Sequence, residues 1–291
     1  MTYEQLLNKA VRLAKKEAKE IEAAKVLLVE LSGLSSSEFY LSYKMEVSED
    51  FIAKYETLLK RYLYDHEPIQ HLLGYSYFYG YRLKVNEDVL IPRAETEQLV
   101  EWVLSLYDTY FNNQEVDVLD LGTGSGCIAI ALALEEQKMK VDAIDVTKEA
   151  LEVAKSNANT LRASISFKVS SWFDNVTKKY DIIVANPPYI PDIEVVDSIV
   201  KKEPSQALYG GADGLDPYRQ ILSQAEKHLK PKALIAFEHG FQHKDKMFEL
   251  AKKYFPNAFI FQEKDLANKD RFTFVYIGEK DEGQNTSNIA N

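Results

Sequence analysis

The sequence predicts an α/β protein: a mostly parallel sheet of seven strands with helices on both faces, preceded by a small all-helical domain and a β-hairpin linker. Three observations predict it. Between residues 115 and 280, short apolar runs alternate with stretches of helical periodicity, the pattern of strands joined by crossover helices. A glycine-rich segment, Gly122 to Gly126, follows the first of those runs directly. The first 72 residues carry helical spacing throughout. The expected boundaries are a helical domain at 1–72, a hairpin linker at 73–92, an α/β domain at 93–280 and a flexible tail at 281–291.

Within 1–72, Thr2 and Gln5 have the form of a capping box. Leu7, Ala10, Ala14, Ala18 and Ile21 then recur at helical spacing. Ala24, Leu27, Leu28 and Leu31 form a second set that stops at Gly33. Ser35 to Glu38 caps a short helix through Tyr40, and Ser48 starts another carrying Phe51, Tyr55, Leu58, Leu59 and Tyr62. Nothing here has catalytic form; periodicity alone serves a plain bundle and a partner-docking module equally. Tyr75 to Leu90 reads as two short strands of a hairpin. The six tyrosines from Tyr62 to Tyr81 suit packing between domains better than base stacking. Ile91 to Glu97 opens a helix running through Leu106, with Arg93 facing either a substrate or solvent.

The α/β region begins with the strand Val116–Leu121, the glycine loop and a helix from Ile128 to Leu134. Glycines let backbone approach a ligand closely, and the helix start offers unpaired N–H groups. The spacing is not the dinucleotide pattern, because the third glycine falls one position early and Cys127 stands in the expected place. A nucleoside ligand without a pyrophosphate fits better. The second strand, Val141–Asp145, ends in an acid 19 residues beyond Gly126. A carboxylate there can accept both hydroxyls of a ribose, or Asp145 can cap the helix Ala150–Leu161. A third strand, Ile165–Ser171, ends at Trp172, whose ring can flank an adenine or pack a loop.

The fourth strand, Tyr180–Ala185, is stopped abruptly by Asn186-Pro187-Pro188-Tyr189. Asn186 brings an amide carbonyl, and Pro187 a backbone carbonyl with no donor of its own. Together they present two acceptors to one planar –NH2 group, with Tyr189 beside it. Read alone, the tetrapeptide serves equally as a rigid turn. A helix from Asp216 to Leu229, a strand Ala233–Phe237, a helix Lys244–Tyr254 and two final strands, Ala258–Phe261 and Phe272–Ile277, complete the domain, with one antiparallel member expected in the sheet.

Composition narrows the function classes. The 291 residues hold 45 acidic against 35 basic side chains, a formal net charge of −10. That disfavours binding nucleic acid through a diffuse basic surface. The single cysteine, Cys127, suits a reducing cytosol, and the absence of a long apolar run or leader pattern points to a cytoplasmic protein away from membranes. The five histidines lack metal-ligand spacing, so no metal is expected. Neither G-x-S-x-G nor a P-loop occurs.

Asp120 to Gly126, Asp145 and Asn186 to Tyr189 together resemble class I S-adenosylmethionine-dependent methyltransferases acting on a planar nitrogen. Pro68 to Gly74, Leu90 to Arg93 with Thr96 and Glu97, Glu203-Pro204 with Ala207-Leu208, and Gly210 to Asp216 narrow the match. The combination is similar to the peptide release factor glutamine methyltransferases, the PrmC/HemK family, over nearly the whole chain. The resemblance implies a Rossmann-like methyltransferase sheet and transfer of a methyl group to the glutamine amide of the Gly-Gly-Gln motif in class-one release factors, modulating translation termination. Those factors would be the partners, with the helical domain helping to dock them and no direct nucleic-acid contact. S-adenosyl-L-methionine would be the cofactor and S-adenosyl-L-homocysteine the product. Carried over by position, Gly122, Thr123, Gly124, Ser125 and Gly126 would hold the methionine part, Asp145 the ribose and Trp172 the adenine. Asn186, Pro187, Pro188 and Tyr189 would bind the target glutamine, Asn186 also counting among the cofactor residues. Two departures show: Ala94 replaces the usual proline after the arginine, and Ser171 replaces the common aspartate before the tryptophan, which removes a polar contact near the adenine. Two rivals remain open: a methyltransferase acting on an exocyclic amine of adenine or guanine in nucleic acid, and a non-catalytic adaptor that binds cofactor and release factor.

Overall fold

Thr2 opens the first helix because its hydroxyl accepts the Gln5 N–H while the Gln5 side chain accepts the Thr2 N–H. The computed structural model describes residues 1–279, so the tail expected at 281–291 lies outside the described residues. The chain divides into two compact units. One holds Met1–Ser76 with Val85–Glu87 and Val196–Glu203; the other holds Tyr77–Lys84, Asp88–Val195 and, of the described residues, 204–279.

The first unit carries helices α1 (Tyr3–Lys16), α2 (Ile21–Ser32), α3 (Ser36–Leu41), α4 (Glu49–Tyr64) and α5 (Ile69–Leu73). Its core is Leu6, Ala10, Leu27, Leu28, Tyr55 and Tyr62, all buried. The Tyr55 hydroxyl donates to the Ala24 carbonyl at 2.9 Å, the partner that an interior hydroxyl needs. The helical run expected to pass through Ala18 to Ile21 is broken. Ala18 sits at φ 50°, and the N–H groups of Ala18 and Lys19 turn back to the carbonyls of Lys15 and Ala14. That pair of bonds ends α1 before Ala18, so Ile21 belongs to the next helix.

Strands β1 (Tyr75–Phe78) and β2 (Tyr81–Lys84) form the expected two-stranded sheet. The second unit follows with α6 (Ala94–Phe111), β3 (Val116–Leu121), α7 (Cys127–Glu135), β4 (Met139–Asp145), α8 (Lys148–Leu161), β5 (Ile165–Val169) and β6 (Tyr180–Ala185). It ends with α9 (Asp216–Ala225), β7 (Leu229–Glu238), α10 (Lys244–Tyr254), β8 (Phe259–Lys264) and β9 (Asp270–Ile277). Several boundaries differ from expectation, and three of the differences have a visible cause. Helix α6 continues to Phe111 because Tyr107, Tyr110 and Phe111 extend its buried face. Strand β5 stops at Val169, where the Ser170 N–H crosses to the Asp145 carbonyl and its hydroxyl donates to the Trp172 carbonyl. The last helical turn before β7 is a 3-10 turn, Glu226–His228, and the strand starts at Leu229. Pro231 is accommodated there where the β6–β7 register shifts.

The seven strands lie in the order β5-β4-β3-β6-β7-β9-β8, and only β9 runs against the rest. Alternate residues serve opposite faces. Val118, Ile182, Leu234 and Phe274 pack with α6, α7 and α8; Leu119, Ile183, Ile235 and Val275 pack with α9 and α10. Helices therefore cover both faces, as expected. The chain moves outward from β3 to β4 and β5, then returns to place β6 on the other side of β3. That reversal leaves a crevice past the carboxyl ends of β3 and β6, where Leu121 is registered against Ala185. At the opposite end, Lys178 and Lys230 pair with Asp117, Asp142 and Asp181 at 2.6–3.1 Å. No helix among the described residues is long and apolar enough to cross a membrane.

Candidate active site

Because Leu121 and Ala185 are register partners, Gly122 and Asn186 emerge side by side at the strand reversal. A cavity of about 240 Å3 opens there, walled by Gly122, Gly124, Asp145, Trp172, Asn186 and Pro187 among others. Two segments far apart in sequence, the glycine loop and the Asn-Pro-Pro turn, thus share one pocket. Pro188 also lines it, whereas Tyr189 does not. Its ring packs against the α9–α10 core, and burial pushes its hydroxyl up to about 12.

The glycine loop divides in the same way. Gly122 and Gly124 reach the cavity; Thr123, Ser125 and Gly126 do not line it. The Thr123 hydroxyl turns inward and donates to Asp120 Oδ2 at 2.6 Å. Gly126 caps α7 at φ 85°, and a Cβ there would meet Ala154 and Ile130 at 3.1 Å. Its role is close packing of α7 on α8. Asp145 lines the cavity and also braces the loop: Oδ2 accepts the Gly124 N–H at 2.9 Å, and Oδ1 accepts the Thr147 N–H at 3.1 Å. The cap of α8 is Thr147, which accepts the Ala150 N–H. Trp172, at φ 44°, lies 3.9 Å from where a Gly122 side chain would begin. Ser171 is exposed and also lines the cavity.

Asn186 is held from behind. Its Nδ2 donates to Thr96 Oγ1 at 3.0 Å, and the Thr96 hydroxyl donates to Glu238 Oε2 at 2.7 Å. The bond to Thr96 uses the amide's –NH2, so Oδ1 remains an acceptor with no donor among the described residues. The Pro187 carbonyl likewise receives no backbone N–H among them. Both oxygens belong to residues that line the cavity.

The turn is braced by residues 208–216. Ile190 N–H donates to the Leu208 carbonyl, and Gly210 N–H to the Ile190 carbonyl, each at 2.9 Å. A Cβ on Gly214 would lie 2.2 Å from the Tyr189 carbonyl, and this residue has φ 75°, so only glycine fits. Arg219 grips Asp213 at 2.6 Å, which holds that carboxyl down at about 2.

Two acids beside the cavity are fully buried. Burial pushes Asp120 up to about 7 against the opposing hydrogen bond from Thr123. It pushes Glu238 to about 7 as well, with Thr96, Arg271 and Asn186 pulling the other way. Among the described residues no cluster of His, Cys, Asp and Glu is disposed to hold a metal. Sequence reasoning did not assign Thr96, Glu238, Gln206 or Ala207 to the site. The available signal for Glu238 was an acid closing the apolar run Ala233–Phe237 beside the fourth strand.

A parallel sheet with this reversal, a glycine loop and an Asn-Pro-Pro turn on one pocket define the class as a methyltransferase. Residues 104–212 match the methyltransferase small domain, and residues 5–74 match the PrmC N-terminal domain. The fold is shared with a methyltransferase from Pyrococcus furiosus, with a TM-score of 0.50 and 18% identity over 69% of this chain and 91% of that one. The chain is 39% identical to the release factor glutamine methyltransferase of Bacillus anthracis, covering 80% of this chain and 86% of the relative. It is 37% identical to the corresponding protein of Enterococcus faecalis, covering 94% and 98%. The chain belongs to the release factor glutamine methyltransferase family, and the resemblance read from its motifs is borne out.

Proposed function

We propose that this protein transfers a methyl group from S-adenosyl-L-methionine to the side-chain amide nitrogen of the Gly-Gly-Gln glutamine in class-one release factors. The observation that carries the reading is that Asn186 and Pro187, with two acceptor oxygens, line the same cavity of about 240 Å3 as Gly122, Asp145 and Trp172. Gly122 and Gly124 admit a ligand close to backbone, Asp145 offers a carboxylate to hydroxyls, and Trp172 offers an aromatic face. Thr123, Ser125 and Gly126 serve by shaping the loop. When bound, the cofactor supplies an activated methyl group on a sulfonium.

An amide nitrogen is a poor nucleophile because its lone pair is delocalised into the carbonyl. Asn186 Oδ1 and the Pro187 carbonyl, accepting its two hydrogens, bias it toward a pyramidal shape and aim the lone pair. Holding a reactant this way is worth on the order of 7–11 kcal/mol of barrier. Oxygen dipoles facing positive charge that develops on nitrogen add to this. No dedicated base is required, since the methylated amide is acidic enough to lose its proton to water.

Methyl-labelled cofactor offered with a release factor, with its Gln→Ala variant and with nucleic acid tests the reading. Label should enter the wild-type factor alone. Label in nucleic acid would favour a base-amine methyltransferase, and label nowhere would favour an adaptor; either result overturns the proposal.

A further inference from the structure

Strands β6 and β7 are parallel and register Ala185 against Phe237, so Asn186 and Glu238 leave the sheet as neighbours. Thr96, in the first turn of α6, stands between their side chains and is buried like Glu238. We propose that Glu238, acting through Thr96, is the positioning residue that fixes which way the Asn186 amide faces and so keeps Oδ1 toward the ligand amine. The inference rests on the reading of Asn186 given above.

A count of protons fixes the polarity. A carboxylate accepts only, so the 2.7 Å bond between Thr96 and Glu238 must use the single hydroxyl proton of Thr96. The Thr96 oxygen can then only accept in its 3.0 Å contact with Asn186. Only the –NH2 of Asn186 can satisfy it. The reversed amide would set Oδ1 against a second acceptor and bury an unmade hydrogen bond. One ionised carboxylate therefore dictates the polarity of the atom that meets the substrate.

Protonation undoes the order. Glu238 faces Arg271 on β9 and Glu95 on α6, with Tyr189 after β6, Tyr218 on α9 and Cys127 on α7 also within its field. Arg271 is itself engaged by Asp265 at 3.2 Å, and burial holds the Glu238 carboxyl near 7. Once protonated, Glu238 can donate to Thr96. The Thr96 hydroxyl is then free to donate to Asn186 Oδ1, and the amide can turn its –NH2 toward a ligand that is also a donor.

Single-turnover methyl transfer to the release factor, cofactor affinity and thermal unfolding are to be compared in wild type, Glu238→Gln, Thr96→Val and Thr96→Ser. Glu238→Gln can donate to Thr96 as readily as accept from it, and Thr96→Val removes the link; either loss of enforced polarity predicts a fall of about ten- to a hundredfold in transfer rate. Cofactor affinity should hold within about threefold, and Thr96→Ser should recover most of the rate. The wild-type rate should rise with pH through about 7 as one proton leaves, and this limb should vanish in Glu238→Gln. An unchanged rate and pH profile in Glu238→Gln overturns the inference alone. Equal losses of rate and cofactor affinity make the network merely structural and overturn it too. Wild-type protein that labels no release factor overturns the underlying reading, and the inference with it.

Discussion

Asp117 and Asp120 lie on the same strand, and the fold treats their charges in opposite ways. At the amino end of the sheet, burial alone would raise Asp117, but hydrogen bonds from Lys178 and Lys230 hold it below the usual carboxylate range. At the carboxyl end, Asp120 and Glu238 have hydroxyl partners, and burial pushes both up to about 7. Stability alone would place apolar residues at such positions. Perturbed acids gathered beside a pocket, while the acids at the far end are neutralised by lysines, fit the placement of the proposed chemistry at the carboxyl end of the sheet.

The comparison is broken most severely at Asn186. Asn186→Ala should lower turnover by about 10²–10³-fold while changing cofactor affinity far less, measured by single-turnover rate against calorimetric titration. Equal losses would assign Asn186 to structure.

The next largest effect is in stability. Folded Glu238 keeps its proton up to about 7, whereas unfolded it ionises near its ordinary 4.5. Its contribution to stability is full below that lower value and is lost as pH rises through the upper one. The Glu238→Gln variant has no such loss. The gap in unfolding free energy should therefore move toward the variant by about 3 kcal/mol across that window, checked by denaturant unfolding at each end.

Gly214→Ala sharpens the contrast from the brace behind the turn. The added Cβ would meet the Tyr189 carbonyl at 2.2 Å, and the backbone is left-handed there. A loss of about 2 kcal/mol in stability is expected, with slower transfer as the Asn-Pro-Pro turn shifts. The smallest effect belongs to the amino end. Lys230 is about a third exposed, and Asp117 keeps Lys178. Lys230→Ala should cost no more than about 1 kcal/mol, less at high salt, and leave transfer unchanged.

How much of this was legible in the sequence follows from the range of the interactions. The strand Tyr180–Ala185 is readable to the residue, because an apolar run interrupted only by Asp181 and ended by two prolines admits one local solution. Gly122 and Asn186 could be assigned to one pocket because strand ends in a parallel sheet converge. The break at Ala18 was not legible: alanine is a good helix former, and only the carbonyls of Ala14 and Lys15 reveal the turn. Nor did the polar stretch after Pro191 announce that Val196–Glu203 groups with the first unit. The Thr96–Glu238 bond spans 142 positions. Its only trace is an acid at the end of a buried run, and a lone acid there reads as readily as a strand terminator. Motif position alone places Thr123 and Tyr189 among the binding residues. Their side chains turn inward because Asp120 needs a donor and the α9–α10 core needs a ring.

In the proposed reaction, two oxygens past β6 grip a protein carboxamide. A crystal structure with S-adenosyl-L-homocysteine and a Gly-Gly-Gln peptide tests it most directly. The account predicts the glutamine nitrogen at about 3 Å from both Asn186 Oδ1 and the Pro187 carbonyl. A glutamine bound elsewhere, or Asn186 turned with Nδ2 toward it, would contradict the account.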